Sequence, residues 1–384
     1  MELTKCKLGE LITQRREKND GSDLPICGVS KDGLIPPKQK DADTSIYNVF
    51  YRDDFIFNPA RMELNSIAIN DMYERAICSS LYEVFYVHRT DLLLPHYLKL
   101  IIRQKWFTRY CEFLGQGSAR EYCRFGNISE IEIEFPPIEE QQKIVDYNTA
   151  IENRIALKQK INDNLISIGT TSIQKNVGRG ALINLTEAEM DRLTFPKDFK
   201  VENVSEFCVE TKSGSTPSRI NKEYWKNGTI SWIKSGEVHN NITLQTEEYI
   251  TPLGLSESST KLLPKDTVLM AMYGVTAGEV GYLAIEATTN QAICGMICHS
   301  KSEAAYLYFS LIQSRATISR LSNGGAQDNL SKNFIDNIKL VVPPSDFIEK
   351  MNLTAIVEQM TLNTREISLL ESLQSTILAQ LSSR

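Results

Sequence analysis

The stretch FGNISEIEIEFPPIEEQQKIVDYNTAIENRIALKQKINDNLISI, residues 125–168, predicts much of the architecture. Its first part alternates apolar and polar residues, which is typical of a strand with one buried face, and the apolar ones are Ile128, Ile131, Ile133 and Phe135. Pro136 and Pro137 then remove two backbone donors, which ends the strand and suits the first turn of a helix. The acidic and amide residues at 139–142 favour a helix start, because the helix dipole stabilises negative charge there.

A narrow apolar seam follows the predicted helix. Residues three and four apart along it are Ile144, Tyr147, Ile151, Arg154, Lys158, Ile161, Leu165 and Ile168. Such a thin stripe cannot form a globular core, but it suits pairing with one similar helix. Arg154 and Lys158 interrupt the seam; they either set the register of the pairing or face water.

The second half of the chain repeats this arrangement. FIDNIKLVVPP, residues 334–344, again runs from a predicted strand into two prolines, and Pro343 follows Pro136 by 207 residues. The seam of the helix after it comprises Leu353, Ile356, Met360, Asn363, Ile367, Leu370, Gln374, Ile377 and Leu381, with breaks at the amides. Repetition at this length indicates duplicated domains rather than a solenoid.

We therefore predict an α+β fold in which two similar domains are joined by two long antiparallel helices. The antiparallel arrangement follows if the copies are related by a pseudo-twofold axis. The predicted boundaries are a first domain at 1–136, a central helix at 137–170, a connector at 171–190, a second domain at 191–343 and a terminal helix at 344–384. In the first domain we expect a short helical opening and then strands at 47–51, 55–57, 66–69 and 82–87.

Composition is compatible with two domains of ordinary size, since the chain has 384 residues and 23% charged residues. The opening residues do not read as a signal peptide and no apolar run approaches about twenty residues, so we expect a cytoplasmic protein without a membrane span. The eight cysteines form no Cys-x-x-Cys pair and the four histidines do not cluster with them. This spacing favours reduced thiols over a metal site.

Loop residues in both halves favour contact with nucleic acid. Lysine and arginine attract phosphate, whereas arginine, asparagine and glutamine can identify bases. The candidates in the first half are Lys31, Lys38, Lys40, Arg61, Gln116, Ser118 and Arg120. Those in the second half are Ser215, Thr216, Arg219, Lys234, Ser235, Tyr273, Thr276, Gln327 and Asn329. Solvated basic faces, with Trp225 and Trp232 packed under a loop, are the alternative interpretation.

The net charge of −6 is the main objection to DNA binding. The charge is unevenly placed, however, because residues 99–125 contain six basic and two acidic side chains. The long helices and residues 187–191 carry much of the acid, away from the candidate loops.

The sequence lacks the motifs of the catalytic classes that act on DNA. Asn58-Pro59-Ala60-Arg61 lacks the second proline and the aromatic residue of an adenine methyltransferase loop. There is no phosphate-binding loop of the G-x-x-x-x-G-K-[ST] type for an ATP motor. Glu210-Thr-Lys212 has no Pro-Asp pair suitably upstream, as a metal-dependent nuclease would need. We therefore expect a non-catalytic chain.

The duplicated signature of strand, Pro-Pro and Gln/Glu-rich helix resembles that of the DNA-specificity subunits of type I restriction-modification systems. The resemblance extends to SGSTPSRINKEYWKNGTISWIKSGEV at 213–238, AMYGVTAG at 271–278, TNQAI at 289–293 and NGGAQDNLSKNFIDNIKLVVPP at 323–344. The opening at 8–37 lacks the Gly-Ser-Thr-Pro and Tyr-Trp pieces. In this family such a difference implies that the two domains read different bases.

The resemblance implies a DNA-recognition subunit that reads a bipartite, asymmetric site with two target-recognition domains. It also implies docking of two methyltransferase subunits and two restriction (translocase-nuclease) subunits on this chain. S-adenosylmethionine, ATP and magnesium are then expected on those partners, and no cofactor on this chain. The paired helices would fix the gap between the half-sites. The alternatives are a coiled-coil protein-interaction scaffold without DNA readout and, third, a nuclease with an unrecognised site.

Overall fold

The computed structural model describes residues 3–31, 33–37, 43–115, 123–183, 193–239, 241–322 and 330–382. The chain divides into two compact units, which we treat separately. Unit 1 comprises 1–154 and 370–384, and unit 2 comprises 155–369. Across the described ranges, no helix is both long enough and apolar enough to span a membrane.

Unit 1 is built on two four-stranded sheets and a strand pair. Its strands are β1 (Thr4–Lys7), β2 (Ile12–Arg15), β3 (Ile26–Ser30), β4 (Gly33–Ile35), β5 (Asn48–Tyr51), β6 (Phe55–Phe57), β7 (Ile67–Ile69), β8 (Arg75–Cys78), β9 (Glu83–Val87) and β10 (Glu132–Phe135). The sheet orders are β2-β9-β6-β7 and β4-β3-β8-β5, and β1 pairs with β10. The helices α1 (Pro95–Ile102), α2 (Lys105–Gly115) and α3 (Phe125–Ser129) precede the long helix α4 (Ile138–Asn176).

Unit 2 has a five-stranded sheet and two three-stranded sheets. Its strands are β11 (Ala181–Leu182), β12 (Lys200–Asn203), β13 (Glu210–Ser213), β14 (Ile230–Ile233), β15 (Ile242–Thr243), β16 (Glu248–Ile250), β17 (Thr267–Ala271), β18 (Val280–Leu283), β19 (Thr288–Thr289), β20 (Ile293–Ile297) and β21 (Lys339–Val342). Their orders are β13-β20-β17-β18-β15, β16-β14-β19 and β11-β21-β12. The helices are α5 (Val204–Phe207), α6 (Pro252–Ser256), α7 (Lys301–Ser322), α8 (Lys332–Asp336), α9 (Ser345–Lys350) and α10 (Leu353–Ser382).

The same topology occurs in both units, which confirms the predicted repeat. The order β2-β9-β6-β7 of unit 1 corresponds to β13-β20-β17-β18 of unit 2. A parallel pair stands beside each sheet, β3 with β8 in unit 1 and β14 with β19 in unit 2. Each unit also has a short helix and a strand before its double proline, α3–β10 and α8–β21. The mixed α and β fold class is likewise confirmed.

Apolar side chains from the sheets and the flanking helices form the cores. In unit 1, Phe55 and Phe85 stack with ring centroids 5.0 Å apart, and Phe107 of α2 is fully buried in the same cluster. In unit 2, α7 buries Tyr306 and Tyr308 against the five-stranded sheet, and Tyr308 is edge-on to Tyr282 of β18. Burial of each such side chain stabilises the fold by about 1.5–3 kcal/mol.

One local expectation is wrong and a second is correct only in part. The strand before the first double proline begins at Glu132, and Ile128 lies instead in α3. A helix of one and a half turns fits there because Asn127 accepts a hydrogen bond from the backbone N–H of Arg124, at 2.8 Å, and closes the turn. The opening segment is mainly the strands β1 and β2, and its helical part is the single 3-10 turn Leu8–Glu10 between them. β1 pairs there with β10.

The helix α4 is anchored at its start by a buried glutamine. Gln141 is fully buried and donates its amide to the carbonyls of Pro136, at 2.8 Å, and Leu92, at 2.7 Å. Its side-chain oxygen accepts from the backbone N–H of Leu94, at 2.9 Å. Three hydrogen bonds therefore fix the direction in which the helix leaves the core of unit 1.

The two long helices pair in antiparallel fashion, as the contacts inside each unit show. In unit 2, Asn162 accepts a hydrogen bond from Asn363 at 2.8 Å, while Lys158, one turn earlier, pairs with Glu366 at 2.9 Å. In unit 1, Gln374 donates to Asn148 at 3.0 Å. Residue numbers rise along one helix as they fall along the other. The predicted antiparallel pairing is thus confirmed.

The seam of α10 follows the predicted positions, whereas that of α4 follows them only in part. In α10, Met360 and Asn363 are buried, and Ile356, Ile367, Leu370 and Ile377 are partly buried. In α4, Ile144, Ile151, Ile161 and Leu165 are buried or partly buried, as expected.

Tyr147 and Ile168, by contrast, are 64% and 55% exposed. The buried residues next to them are Asn148 and Gly169. Apolarity favours Tyr147 and Ile168 in these turns, whereas the packing uses an amide that bonds to α10 and a glycine that leaves room for the ring of Phe309.

Candidate nucleic-acid interface

Three loops of unit 2 emerge at one edge of its five-stranded sheet. β13 ends at Ser213, which pairs with Cys294 near the start of β20. β17 ends at Ala271, which pairs with Ile293 on the other side of β20. The loops that follow β13 and β17 and the turn that precedes β20 therefore lie next to one another.

The residues after β14 join the same edge. The N–H of Asn290, in the turn before β20, donates to the carbonyl of Ile233 at 2.9 Å, and Lys234 and Ser235 follow directly. The structure thus brings together seven candidate residues that are far apart in sequence. They are Ser215, Thr216, Arg219, Lys234, Ser235, Tyr273 and Thr276. We call this edge the unit 2 loop edge.

The loop at 214–219 is held tightly to the sheet. A Cβ atom on Gly214 would lie 2.2 Å from the carbonyl oxygen of Thr289, so only glycine fits there. The indole N–H groups of Trp232 and Trp225 donate to the carbonyls of Ser215 and Ser218, both at 3.1 Å. The two tryptophans therefore pack beneath the loop, which was the structural alternative for them, and they make the loop rigid.

Acidic partners hold the two candidate cations of this edge. Arg219 forms an ion pair with Glu248, and its guanidinium lies 3.6 Å from the ring centroid of Trp225 and 4.8 Å from that of Trp232. Lys234 pairs with Glu247 at 2.6 Å and with Glu248 at 3.3 Å. The hydrogen bond from Arg219 is the main reason why the pKa of Glu248 lies below its usual value.

Sequence reasoning missed Glu247 and Glu248. They lie at and before the start of β16, far along the chain from the loops that they contact. No local pattern marks them, because their position depends on the pairing of β16 with β14.

The hairpin loop after β17 presents exposed side chains. Gly274 has φ of +73°, a left-handed conformation that favours glycine, and the next residue, Val275, is fully exposed. Tyr273 is 38% exposed. The candidates Gln327 and Asn329 lie outside the described residues. The first residue described after them, Leu330, donates its backbone N–H to the carbonyl of Met272 at 2.9 Å.

Unit 1 has a cleft at the corresponding edge. The cleft has a volume of about 1260 Å³ and is lined by the loop after β3, the β6–β7 loop and the turn before β9. Lys31 and Arg61 line it and are exposed. The candidates Lys38, Lys40, Gln116, Ser118 and Arg120 lie outside the described residues.

The charge of this cleft is mixed. Arg124 lines it but pairs with Glu83 at 3.1 Å, and the acidic Glu63 and Glu112 also line it. Its loops are tied to the core as in unit 2: the N–H of Cys123 donates to the carbonyl of Pro59 at 3.1 Å. Apolar residues and four serines complete the lining of the cleft, so it offers hydroxyl groups and apolar surface as well as charge.

In the part of the chain that the structure describes, no three histidine, cysteine, aspartate or glutamate side chains are grouped so as to hold a metal ion.

Comparison with known proteins bears directly on this architecture. A model of the type I restriction modification DNA specificity domain matches residues 6–166 and again 196–369. The chain belongs to this family. As a type I specificity subunit it has two target-recognition domains, and the two matches agree with the duplicated topology.

Individual proteins similar to this chain are also type I specificity subunits. The specificity subunit of the type I restriction enzyme HindI from Haemophilus influenzae is 22% identical over 356 residues, which cover 76% of this chain and 77% of that protein. The MjaIX specificity subunit from Methanocaldococcus jannaschii is 21% identical over 300 residues, or 76% and 69% of the two chains. The crystal structure of the S subunit from M. genitalium has the same fold, with a TM-score of 0.58 and 14% identity over 99% of this chain and 96% of that one.

Proposed function

We propose that this specificity subunit is a non-catalytic reader of double-stranded DNA that recognises a bipartite, asymmetric site, with one half-site for each domain. The observation that carries the proposal is the clustering of loops at one edge in each unit. Loops on a rigid scaffold are where binding residues concentrate. The different loop sequences of the two units would make the two half-sites different.

The paired helices support the second element of the proposal, a fixed gap between the half-sites. A pair of helices has a defined length per residue, about 1.5 Å, and resists bending more than a flexible linker does. The hydrogen bonds between Asn162 and Asn363 and between Asn148 and Gln374 lock its register. The length of this spacer would then set the number of base pairs that are not read.

Exposed apolar residues on the long helices support docking of protein partners. In unit 2, Leu157 and Ile168 of α4 are 57% and 55% exposed, and Leu362 and Leu369 of α10 are 57% and 66% exposed. Exposed apolar residues of this kind on a protein surface often mark interaction sites. The proposed partners are two methyltransferase subunits and two restriction subunits in the cytoplasm. S-adenosylmethionine, ATP and magnesium would be bound by them and not by this chain.

The test is a gel-shift selection from random-sequence DNA, with the chain alone and with the methyltransferase subunit of its own system. We expect enrichment of one bipartite sequence by the complex. A chain in which residues 215–219 are scrambled and Gly214 is kept should retain the first half-site and lose the second. Binding to the methyltransferase with no sequence enrichment at low salt would instead support the scaffold. Metal-dependent cleavage by the chain alone would support the nuclease.

A further inference from the structure

The guanidinium of Arg219 is held in one orientation. One of its nitrogens, Nη1, bonds to the Glu248 carboxylate, and the indoles of Trp225 and Trp232 lie against the group. Trp232 is 2% exposed and Trp225 is tied to the loop through Ser218, so these rings cannot easily move. An arginine side chain normally loses conformational entropy when it binds a ligand, because its rotatable bonds become fixed. Here those bonds are already fixed in the free protein.

The carboxylate occupies only one side of the guanidinium. Among the described residues, Nη1 is the guanidinium nitrogen that makes a hydrogen bond, which leaves the edge formed by Nε and Nη2 for a ligand. The side chain as a whole is 50% exposed. Two parallel N–H donors on a planar group match either the O6 and N7 atoms of guanine or two oxygens of a phosphate.

The electrostatic surroundings favour the base over the phosphate. Glu248 lies against the guanidinium and Glu247 lies beside Lys234, so two carboxylates neutralise the two cations at this edge. A phosphate that approached Arg219 would therefore meet no net positive charge and gain little Coulomb attraction, whereas hydrogen bonds to neutral guanine do not depend on net charge. A rigid arginine whose charge is neutralised is suited to hydrogen bonding with a guanine base rather than to attracting the phosphate backbone of DNA.

From this geometry we propose that Arg219 reads one guanine of the second half-site through its Nε/Nη2 edge, and that Glu248 is the positioning residue that holds it. The proposal rests on the proposed function, because it requires unit 2 to bind DNA. It adds the identity of one base and of the side chain that selects it.

The experiment measures binding of the complex with its methyltransferase to the selected DNA and to a set of single-base variants, over a range of salt concentrations. Arg219→Ala should lower the preference for guanine at one position by about fivefold to 150-fold and leave the other positions unchanged. Glu248→Ala should lose the same preference, because the guanidinium is no longer held. Glu248→Gln should retain much of it, since the amide oxygen can still accept from Nη1.

Lys222→Ala is the matched control, because Lys222 is an exposed cation three residues along the same segment. It should change affinity equally for all sequences. The proposal is overturned if Arg219→Ala weakens all sequences alike and reduces the salt slope by about one, which is the behaviour of a phosphate contact. It is also overturned if no position loses its guanine preference in either the Arg219 or the Glu248→Ala variant. If the unaltered complex prefers no sequence, the proposed function itself is wrong.

Discussion

Asp54 of unit 1 is buried, and its charge is balanced by an ion pair with Arg15. Asp54 is 2% exposed, and its carboxylate accepts from Arg15 at 2.6 Å and from the backbone N–H of Tyr51 at 2.7 Å. Arg15 in turn lies over the rings of Tyr51 and Tyr86. Burial raises the pKa of Asp54 above its usual value of 3.8 although these hydrogen bonds act in the opposite direction.

Arg15→Ala should therefore destabilise unit 1 by about 3–5 kcal/mol at neutral pH, because it leaves a buried carboxylate without its cation. The raised pKa of Asp54 means that the folded state binds the proton more tightly than the unfolded state does. The stability that the folded state gains from this proton on Asp54 is present below pH 3.8 and is lost as the pH rises through the pKa of the folded state. The destabilisation by Arg15→Ala should accordingly shrink in acid.

The measurement is urea unfolding at neutral and acidic pH. Arg52→Ala provides the control, because Arg52 pairs with Glu74 at the surface, where both side chains are well exposed. It should change stability by no more than about 1 kcal/mol. Equal losses in the two variants would show that burial of Asp54 does not matter.

For single residues, the sequence indicates which loops are candidates, but it does not indicate which side chains form ion pairs with the loop residues. The glycine, serine and arginine of the loop at 214–219 predict a binding loop, and the structure brings this loop beside Lys234, Ser235, Tyr273 and Thr276. Glu248 could not be predicted as a partner, since it reaches Arg219 only through the pairing of β14 with β16.

Among the elements, α4 packs against α7 through a glycine. A Cβ atom on Gly169 would lie 2.3 Å from Phe309, which is fully buried. Glycine in a helix interior usually costs about 1 kcal/mol relative to alanine, so replacement by alanine would ordinarily stabilise. Here the ring of Phe309 lies so close to Gly169 that alanine should lower the free energy of unfolding instead.

Gly169→Ala should destabilise unit 2 by about 1–3 kcal/mol through overpacking. Gly126→Ala in α3, where a Cβ atom would meet nothing within 4 Å, should be neutral or slightly stabilising. Thermal unfolding of the two variants gives the comparison. Addition of Phe309→Leu should recover part of the loss only if the clash with the ring is its cause.

A polar layer formed by Lys158, Asn162 and Asn363 lies between α4 and α10 and should contribute to the stability of unit 2. Asn363 is 1% exposed and bonds to Asn162 at 2.8 Å and to Lys158 at 3.2 Å. Asn363→Leu should destabilise unit 2 by about 1–3 kcal/mol, because the amide of Asn162 is left without this partner.

The double variant Asn162→Leu/Asn363→Leu should recover much of that stability but pair in more than one register. Cysteine pairs introduced along the two helices would report the register by cross-linking. A double variant as unstable as the sum of the single variants, or confined to one register, would contradict this role of the layer.

The double prolines and the seam of α10 could be predicted because they are local patterns of residue type. The seam of α4 could be predicted only in part, because apolarity does not mark Asn148, Asn162 and Gly169, which the packing also uses. Amides that bond across an interface and glycines that admit a ring have no signature in one helix alone; both depend on what lies opposite.

For the whole molecule, the proposed spacer predicts that length changes act on the gap alone. An insertion of seven residues between Ile144 and Ile168, matched by seven in the paired part of α10, lengthens the pair by about 10.5 Å. At about 3.4 Å per base pair, the unread gap should grow by about three base pairs. Mapping of methylated adenines in cells that carry the variant would show the new gap.

Both half-sites should stay the same, because no loop is altered. A seven-residue insertion into α4 alone is the control, since it breaks the pairing of Asn162 with Asn363 and should abolish methylation. A variant with changed half-sites, or with an unchanged gap, would rule out the spacer.

The neutralised arginine and lysine of the unit 2 loop edge also affect how the protein would behave in a cell. Long-range attraction to polyanions depends on uncompensated positive charge, and here Glu247 and Glu248 compensate Lys234 and Arg219. Abundant RNA would therefore be a poor competitor at this edge. Recognition would be decided at close range, by the fit of a base against a side chain that is already in place.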